Sequence, residues 1–131
     1  MKRFSFFLVA TLFTLLLTNR LQAQNFFTTD AGMFKLLADT TFASIAEVTF
    51  MPGQKTNVHT HSAQFLYALT DGELTVHYVN GKTQNVMLKA GDHFLAPADG
   101  PHWTENPGKK AVKFLLVEFD EHPYMDKKMM K

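Results

Sequence analysis

The amino-acid sequence predicts an all-β domain, a sandwich or a barrel. Three observations carry that prediction. Turn-forming residues recur every ~8–12 positions from Phe34 onward. The runs between them are short and apolar-rich, with no convincing helical period. Phenylalanine is abundant, 13 of 131 residues, although several fall in the first 23 positions. Chains punctuated in this way fold as two packed sheets or a closed barrel.

The chain opens on a segment outside that domain. Lys2 and Arg3 give a positive start, Phe4 to Leu17 is a nearly unbroken apolar run, and Asn19 to Ala23 is a polar, small-residue exit. This order is that of a secretory signal peptide over residues 1–23, with Ala23 the last residue removed, and it places the protein outside the cytoplasm, periplasmic or secreted. Leu21 stands where a smaller residue is commoner. The rival reading, an uncleaved anchor, meets an apolar run shorter than the ~20 residues a span needs. A chain without cysteine has no site for a lipid anchor and no disulfide. The core alone must stabilise it, which is feasible at ~110 residues.

Cleavage after Ala23 leaves 108 residues, 24–131, to form the second region, with its motif-bearing core at 42–119. It removes Lys2, Arg3 and Arg20 and leaves 10 basic against 12 acidic residues, so the whole-chain charge of +1 misdescribes the mature protein. No basic stripe remains, so nucleic-acid binding has no electrostatic support and none is expected. No membrane span is expected after cleavage.

Gln24 to Gly32 reads as an arm leading into the fold. Phe42 to Phe50 is a strand, ended by Met51-Pro52-Gly53-Gln54. Phe65 to Leu69 is a compact apolar run closed by Thr70-Asp71-Gly72. Leu74 to Val79 alternates, and Asn80-Gly81 predicts a hairpin because both residues tolerate positive φ. Gln84 to Leu88 returns across it, Lys89 to Asp92 turns again, and Asn106-Pro107-Gly108 precedes the last long strand, Ala111 to Phe119. The tail, Glu121 to Lys131, is polar and is expected to be loose.

The chemistry is carried by histidines. His59 and His61 are separated by one residue. On an extended strand, positions i and i+2 share a face roughly 6–7 Å apart, so both imidazoles can aim at one point. A third, His102, lies about forty positions on, behind Gly91-Asp92 and Pro97. An imidazole brought from a distant strand would complete a pocket for a divalent metal.

At this point the chain resembles the cupins, small jelly-roll β-barrels. Their first motif reads G-x5-H-x-H-x3or4-E-x6-G, and here Gly53 is followed after five residues by His59-Thr60-His61. Their second motif reads G-x5-P-x-G-x2-H-x3-N, matched by Gly91, Pro97, His102 and Asn106, with Asp99 where glycine is usual. The resemblance implies a cupin jelly roll, or double-stranded β-helix barrel, of two antiparallel sheets. It implies His59, His61 and His102 as ligands to a divalent transition metal, a small-molecule ligand, and a homodimer.

The fourth family ligand, a glutamate, is missing, since its positions hold Phe65 and Leu66. Gln64 is the nearest polar candidate, and a strand starting there would place Leu66 and Ala68 on its face. Gln64 can coordinate through its amide oxygen, hydrogen-bond a bound water, or do neither. Three imidazoles and an amide are all neutral, so the ion would keep its full charge, act as a stronger Lewis acid and favour anionic oxygen ligands. Iron, manganese, zinc, nickel and copper all suit such a donor set.

Other residues are read more plainly. His93 is peripheral, His77 lies outside the barrel, and His122 has no role. Tyr67 and Trp103 have the strand parity opposite to Gln64 and His102 and face away from the metal. Asp99 either fills a turn, which aspartate tolerates, or overlooks the pocket as an acid or base. Two classes of function follow. One is a metal-dependent enzyme, a dioxygenase acting on an enolisable compound or an isomerase opening a sugar acid. The other is a binding module without turnover. An acid or base beside the metal would favour the enzyme.

Overall fold

Ten strands, one short helix and one 3-10 turn order residues 24–127, which are those the computed structural model describes. The predicted signal segment, 1–23, lies outside the described residues, as does the end of the tail. In chain order the elements are β1 (Gln24–Asn25), α1 (Phe26–Thr29), the 3-10 turn Ala31–Met33, β2 (Phe34–Asp39), β3 (Ala43–Phe50), β4 (His59–His61), β5 (Ala63–Ala68), β6 (Gly72–Tyr78), β7 (Thr83–Leu88), β8 (His93–Ala96), β9 (Asp99–Glu105) and β10 (Val112–Phe119). They form two five-stranded sheets, ordered β1-β4-β9-β6-β7 and β2-β3-β10-β5-β8.

The spacing of turns predicted a two-sheet β fold and the family resemblance implied a jelly roll; both hold, with one correction. Not every pair is antiparallel, because β1 runs parallel to β4, with Gln24 opposite His59 and Asn25 opposite Thr60. The arm is therefore part of a sheet and not merely a lead-in. Its Phe26 is buried at 2% exposure.

Alternation sets the inner faces. Val48 and Phe50 of β3, Leu66 and Ala68 of β5, Leu74 of β6 and Val112, Phe114 and Leu116 of β10 form the buried cluster between the sheets. Period-2 patterning turns every second residue of a strand to one face, so one apolar set per strand is enough to fix its register.

The turns differ in detail from expectation. The β6–β7 hairpin closes where Gly81 N–H donates to the Tyr78 carbonyl (2.9 Å), and only Gly81, at φ 88°, is left-handed; Asn80 is not. Asn80 contributes through its side chain, whose Oδ1 accepts from Lys82 N–H at 3.0 Å. Asn106, in the second motif, is fully buried. Its Nδ2 donates to the carbonyls of Phe50 (3.0 Å) and Lys110 (2.8 Å), and its Oδ1 accepts from Gly108 N–H (2.9 Å). It staples the end of β3 to the loop before β10. The start of the tail is also pinned, for Ala63 N–H donates to the His122 carbonyl at 2.8 Å.

Candidate metal centre

β4 and β9 lie side by side with His59 opposite His102. The two ring centroids are 4.6 Å apart, and His61 sits 4.7 Å from His59 and 5.3 Å from His102. One donor atom from each ring lies within 4.8 Å of the other two. His59 and His102 are buried and His61 is half-buried.

The hydrogen bonds fix which nitrogen faces inward. His59 Nδ1 lies 2.8 Å from the Asn57 carbonyl and His102 Nδ1 lies 2.7 Å from the Gly100 carbonyl. His61 Nδ1 is bonded to the Glu118 carboxylate. A carbonyl or carboxylate oxygen only accepts, so each Nδ1 carries the proton and donates it. In neutral rings each Nε2 is then a bare lone pair. Yet His59 Nε2 and His61 Nε2 are 3.0 Å apart. Two lone pairs at that distance repel unless a cation, a proton or a metal ion, sits between them. Burial and then the adjacent His61 ring push the His59 pKa down to about 3, so that ring resists the proton. His102 is shifted the same way, first by burial. Two nitrogens each ~2.0–2.1 Å from one ion, at tetrahedral to right angles, stand ~2.8–3.4 Å apart. The His59–His61 pair already has that separation, and a donor of His102 lies within 4.8 Å of both, so the cluster could hold a divalent metal.

A bulge shapes the rest of the site. The register between β4 and β9 shifts from His59↔His102 to His61↔Asp99, so two steps on β4 oppose three on β9. An extra residue of this kind re-aims the side chains beside it. Positions 99 and 102 would otherwise have opposite parity, but both line the same cavity. Asp99 is thus the first residue of a bulged strand and not a turn residue, and it needs no positive φ to stand where glycine is usual. Its Oδ2 accepts from Tyr78 Oη–H at 3.0 Å and lies 3.6 Å from His102 Nδ1. Burial, then the bond to Asp99, pushes the Tyr78 hydroxyl up to about 12, so it stays a donor.

The cavity has a volume of about 720 Å³. Gln64 lines it together with the three histidines, on the same strand face as Leu66 and Ala68. Phe26, Phe50, Leu74, Val86 and Phe114 supply apolar wall, and among the described residues no lysine or arginine borders it. His93 is exposed at the cavity's edge, outside the imidazole cluster. His77 and Trp103 stack on the outer face at 3.8 Å with Lys55 above the indole, and His77 Nε2 lies 3.0 Å from Glu105. Tyr67 is 38% exposed, consistent with its outward parity.

Three residues of the site were not singled out from the sequence. Glu118 is fully buried on β10, where it continues the inward row of Val112, Phe114 and Leu116. That parity was the available signal, a charge on the apolar face of a strand. Asn25 Nδ2 donates to Glu118 Oε2 at 3.0 Å. Phe26 packs its ring 5.1 Å from His59 and 5.6 Å from His61. For Asn25 and Phe26, in a polar arm, the sequence held no comparable signal.

A family model described as a cupin domain matches residues 46–118. No curated protein matches the chain. Among solved structures, a cupin domain from Bordetella pertussis Tohama I is 24% identical with a TM-score of 0.61, covering 67% of this chain and 92% of that one. An RmlC-like cupin family protein with a double-stranded β-helix fold from Methanocaldococcus jannaschii is 20% identical with a TM-score of 0.53, covering 69% and 83%. An uncharacterized conserved protein with a double-stranded β-helix domain from Klebsiella pneumoniae is 26% identical with a TM-score of 0.52, covering 65% and 73%.

Proposed function

The chain belongs to the cupin family, and from that premise we propose that it is a metal-dependent enzyme acting on a small enolisable compound that binds as an anion. The observation that carries this reading is the convergence of three Nε2 lone pairs, from His59, His61 and His102, at a cavity that Asp99 also lines. A divalent ion held there supplies a Lewis acid that favours an anionic oxygen ligand. Gln64 is the proposed fourth ligand through its amide oxygen.

The chain's own residues define the rest. No lysine or arginine among the described residues borders the cavity, so the metal is the positive charge an anion would meet. Asp99 lines the same cavity, held by Tyr78 on the Nδ1 side of His102, and is the carboxylate we assign to take a proton from an enolisable carbon. A carboxylate in the cavity lining supports an enzyme over a passive binder. The apolar wall suits a diketone better than a polyhydroxylated sugar acid, whose hydroxyl groups would lose water against phenylalanine, leucine and valine. Oxidative cleavage consuming one O2 per diketone is the leading reaction.

The test is oxygen uptake by the mature protein, loaded in turn with iron(II), manganese(II), zinc(II), nickel(II) or copper(II), in the presence of a simple 1,3-diketone. Uptake that falls at least tenfold in Asp99→Asn, with metal content unchanged, supports the reading. Diketone binding without turnover under every metal would make the protein a binding module.

We further propose export with cleavage after Ala23, which would keep Gln24 as the first residue of β1. N-terminal sequencing of the protein recovered from outside the cytoplasm checks this. A homodimer is proposed on the family resemblance. Leu36 and Leu37 of β2, at one edge of its sheet and about half exposed, offer a surface for a second copy to cover. Light scattering on the mature protein tests it.

A further inference from the structure

We propose that Glu118 is the positioning carboxylate of the metal centre and supplies, one hydrogen bond removed, the negative charge that the ligand set lacks. The inference rests on the metal-site reading above.

Four observations support it. Glu118 has 0% exposure. A carboxylate is driven out of such a place unless it is paired, because the interior solvates charge poorly. Its neighbours on the same face of β10 are Val112, Phe114 and Leu116, so packing alone calls for an apolar residue. Both of its oxygens are engaged, one by His61 Nδ1 and the other by Asn25 Nδ2 at 3.0 Å. Neither partner needs to carry a charge, which leaves a buried anion that a nearby divalent ion would balance.

The fourth observation is the register. On the β5–β10 ladder Glu118 stands directly opposite Gln64. Gln64 takes the place nearest to the family's glutamate ligand. The carboxylate absent from β5 is present on the adjacent strand, on the same rung, and reaches the site through an imidazole. Three neutral histidines, a neutral glutamine and one outer carboxylate carry the same total charge as three histidines and a glutamate.

The bond to Glu118 also sets the geometry of His61. A carboxylate at Nδ1 fixes the tautomer that leaves Nε2 free for the ion and fixes the ring orientation. Asn25 in turn holds the carboxylate, while its Oδ1 accepts from Phe27 N–H at 2.8 Å and caps α1. The arm is thereby coupled to the ion through a chain of three side chains, Asn25, Glu118 and His61.

The test is a charge swap read by metal affinity. Zinc and cobalt(II) affinities are measured by chelator competition, and the cobalt visible spectrum is recorded, for the wild type, Glu118→Gln, Asn25→Ala and the double variant Gln64→Glu/Glu118→Gln. We expect Glu118→Gln to weaken zinc binding ~10–100-fold. Asn25→Ala, which leaves the carboxylate in place, should weaken it several-fold. The double variant should return to within a few-fold of wild type with a shifted cobalt spectrum. Wild-type affinity in Glu118→Gln overturns the proposal, and so does a double variant no tighter than Glu118→Gln. If Glu118→Gln does not fold, Asn25→Ala decides alone, and unchanged affinity there overturns it. A wild type that binds no metal defeats the underlying site reading instead, and is distinguished by that first measurement.

Discussion

Freed of any metal, the protein should lose stability on a modest drop in pH. The perturbation is a drop from pH 7 to pH 5 after exhaustive chelation. Burial holds the folded His59 pKa at about 3, against an ordinary 6.5. Above pH 6.5 both folded and unfolded chains carry a neutral ring, and its contribution to stability is fully present. Below 6.5 the unfolded chain takes up a proton that the fold refuses, and stability drains away until the folded pKa is passed. Linkage puts the loss between pH 7 and pH 5 at about 2 kcal/mol for this one ring. His102, lowered mainly by burial, acts in the same direction. The assay is urea unfolding at the two pH values, followed by far-ultraviolet circular dichroism. Equal midpoints at pH 7 and pH 5 would refute the reasoning. So would a His59→Gln variant that keeps the full pH difference.

Two further outcomes separate scaffold from site. Asn106→Ala removes three hydrogen bonds to buried or half-buried backbone and should destabilise the fold by about 2–4 kcal/mol, while the remaining folded protein binds zinc with wild-type stoichiometry; both are read by urea unfolding and metal analysis. Gly72→Ala drives a methyl group into the Val112 side chain, which is 1% exposed at the start of β10. It should cost about 1–3 kcal/mol through overpacking, recovered in part by pairing it with Val112→Ala, and a thermal melt checks both.

The imidazoles were legible because each motif is local. His59 and His61 share a strand face by parity alone, and His102 follows a Gly-Pro spacing that resembles a known family pattern. Gln64 was placed by the same parity, through Leu66 and Ala68. Glu118 was legible in principle, as the fourth inward position of an otherwise apolar strand, but nothing in the chain says which histidine it would meet across the sheet. Asp99 was not legible as a strand residue. Its entry to the cavity depends on a bulge that adds one residue to β9, and a register shift depends on two strands at once. The arm was misjudged for a related reason. Asn25 and Phe26 look like an ordinary lead-in until β1 pairs with β4, and a two-residue strand has no periodicity to detect. Local patterns were readable, whereas contacts that depend on long-range register were not.

The proposed chemistry requires three imidazoles to hold one divalent ion. X-ray absorption at the zinc edge, on protein purified without a histidine tag and loaded with one equivalent of zinc, reads that coordination. Three imidazole nitrogens at ~2.0–2.1 Å plus at least one further oxygen or nitrogen donor are expected, reduced to two imidazoles or lost altogether in His61→Ala. Zinc that does not bind, or that binds with the same spectrum in His61→Ala, would contradict it.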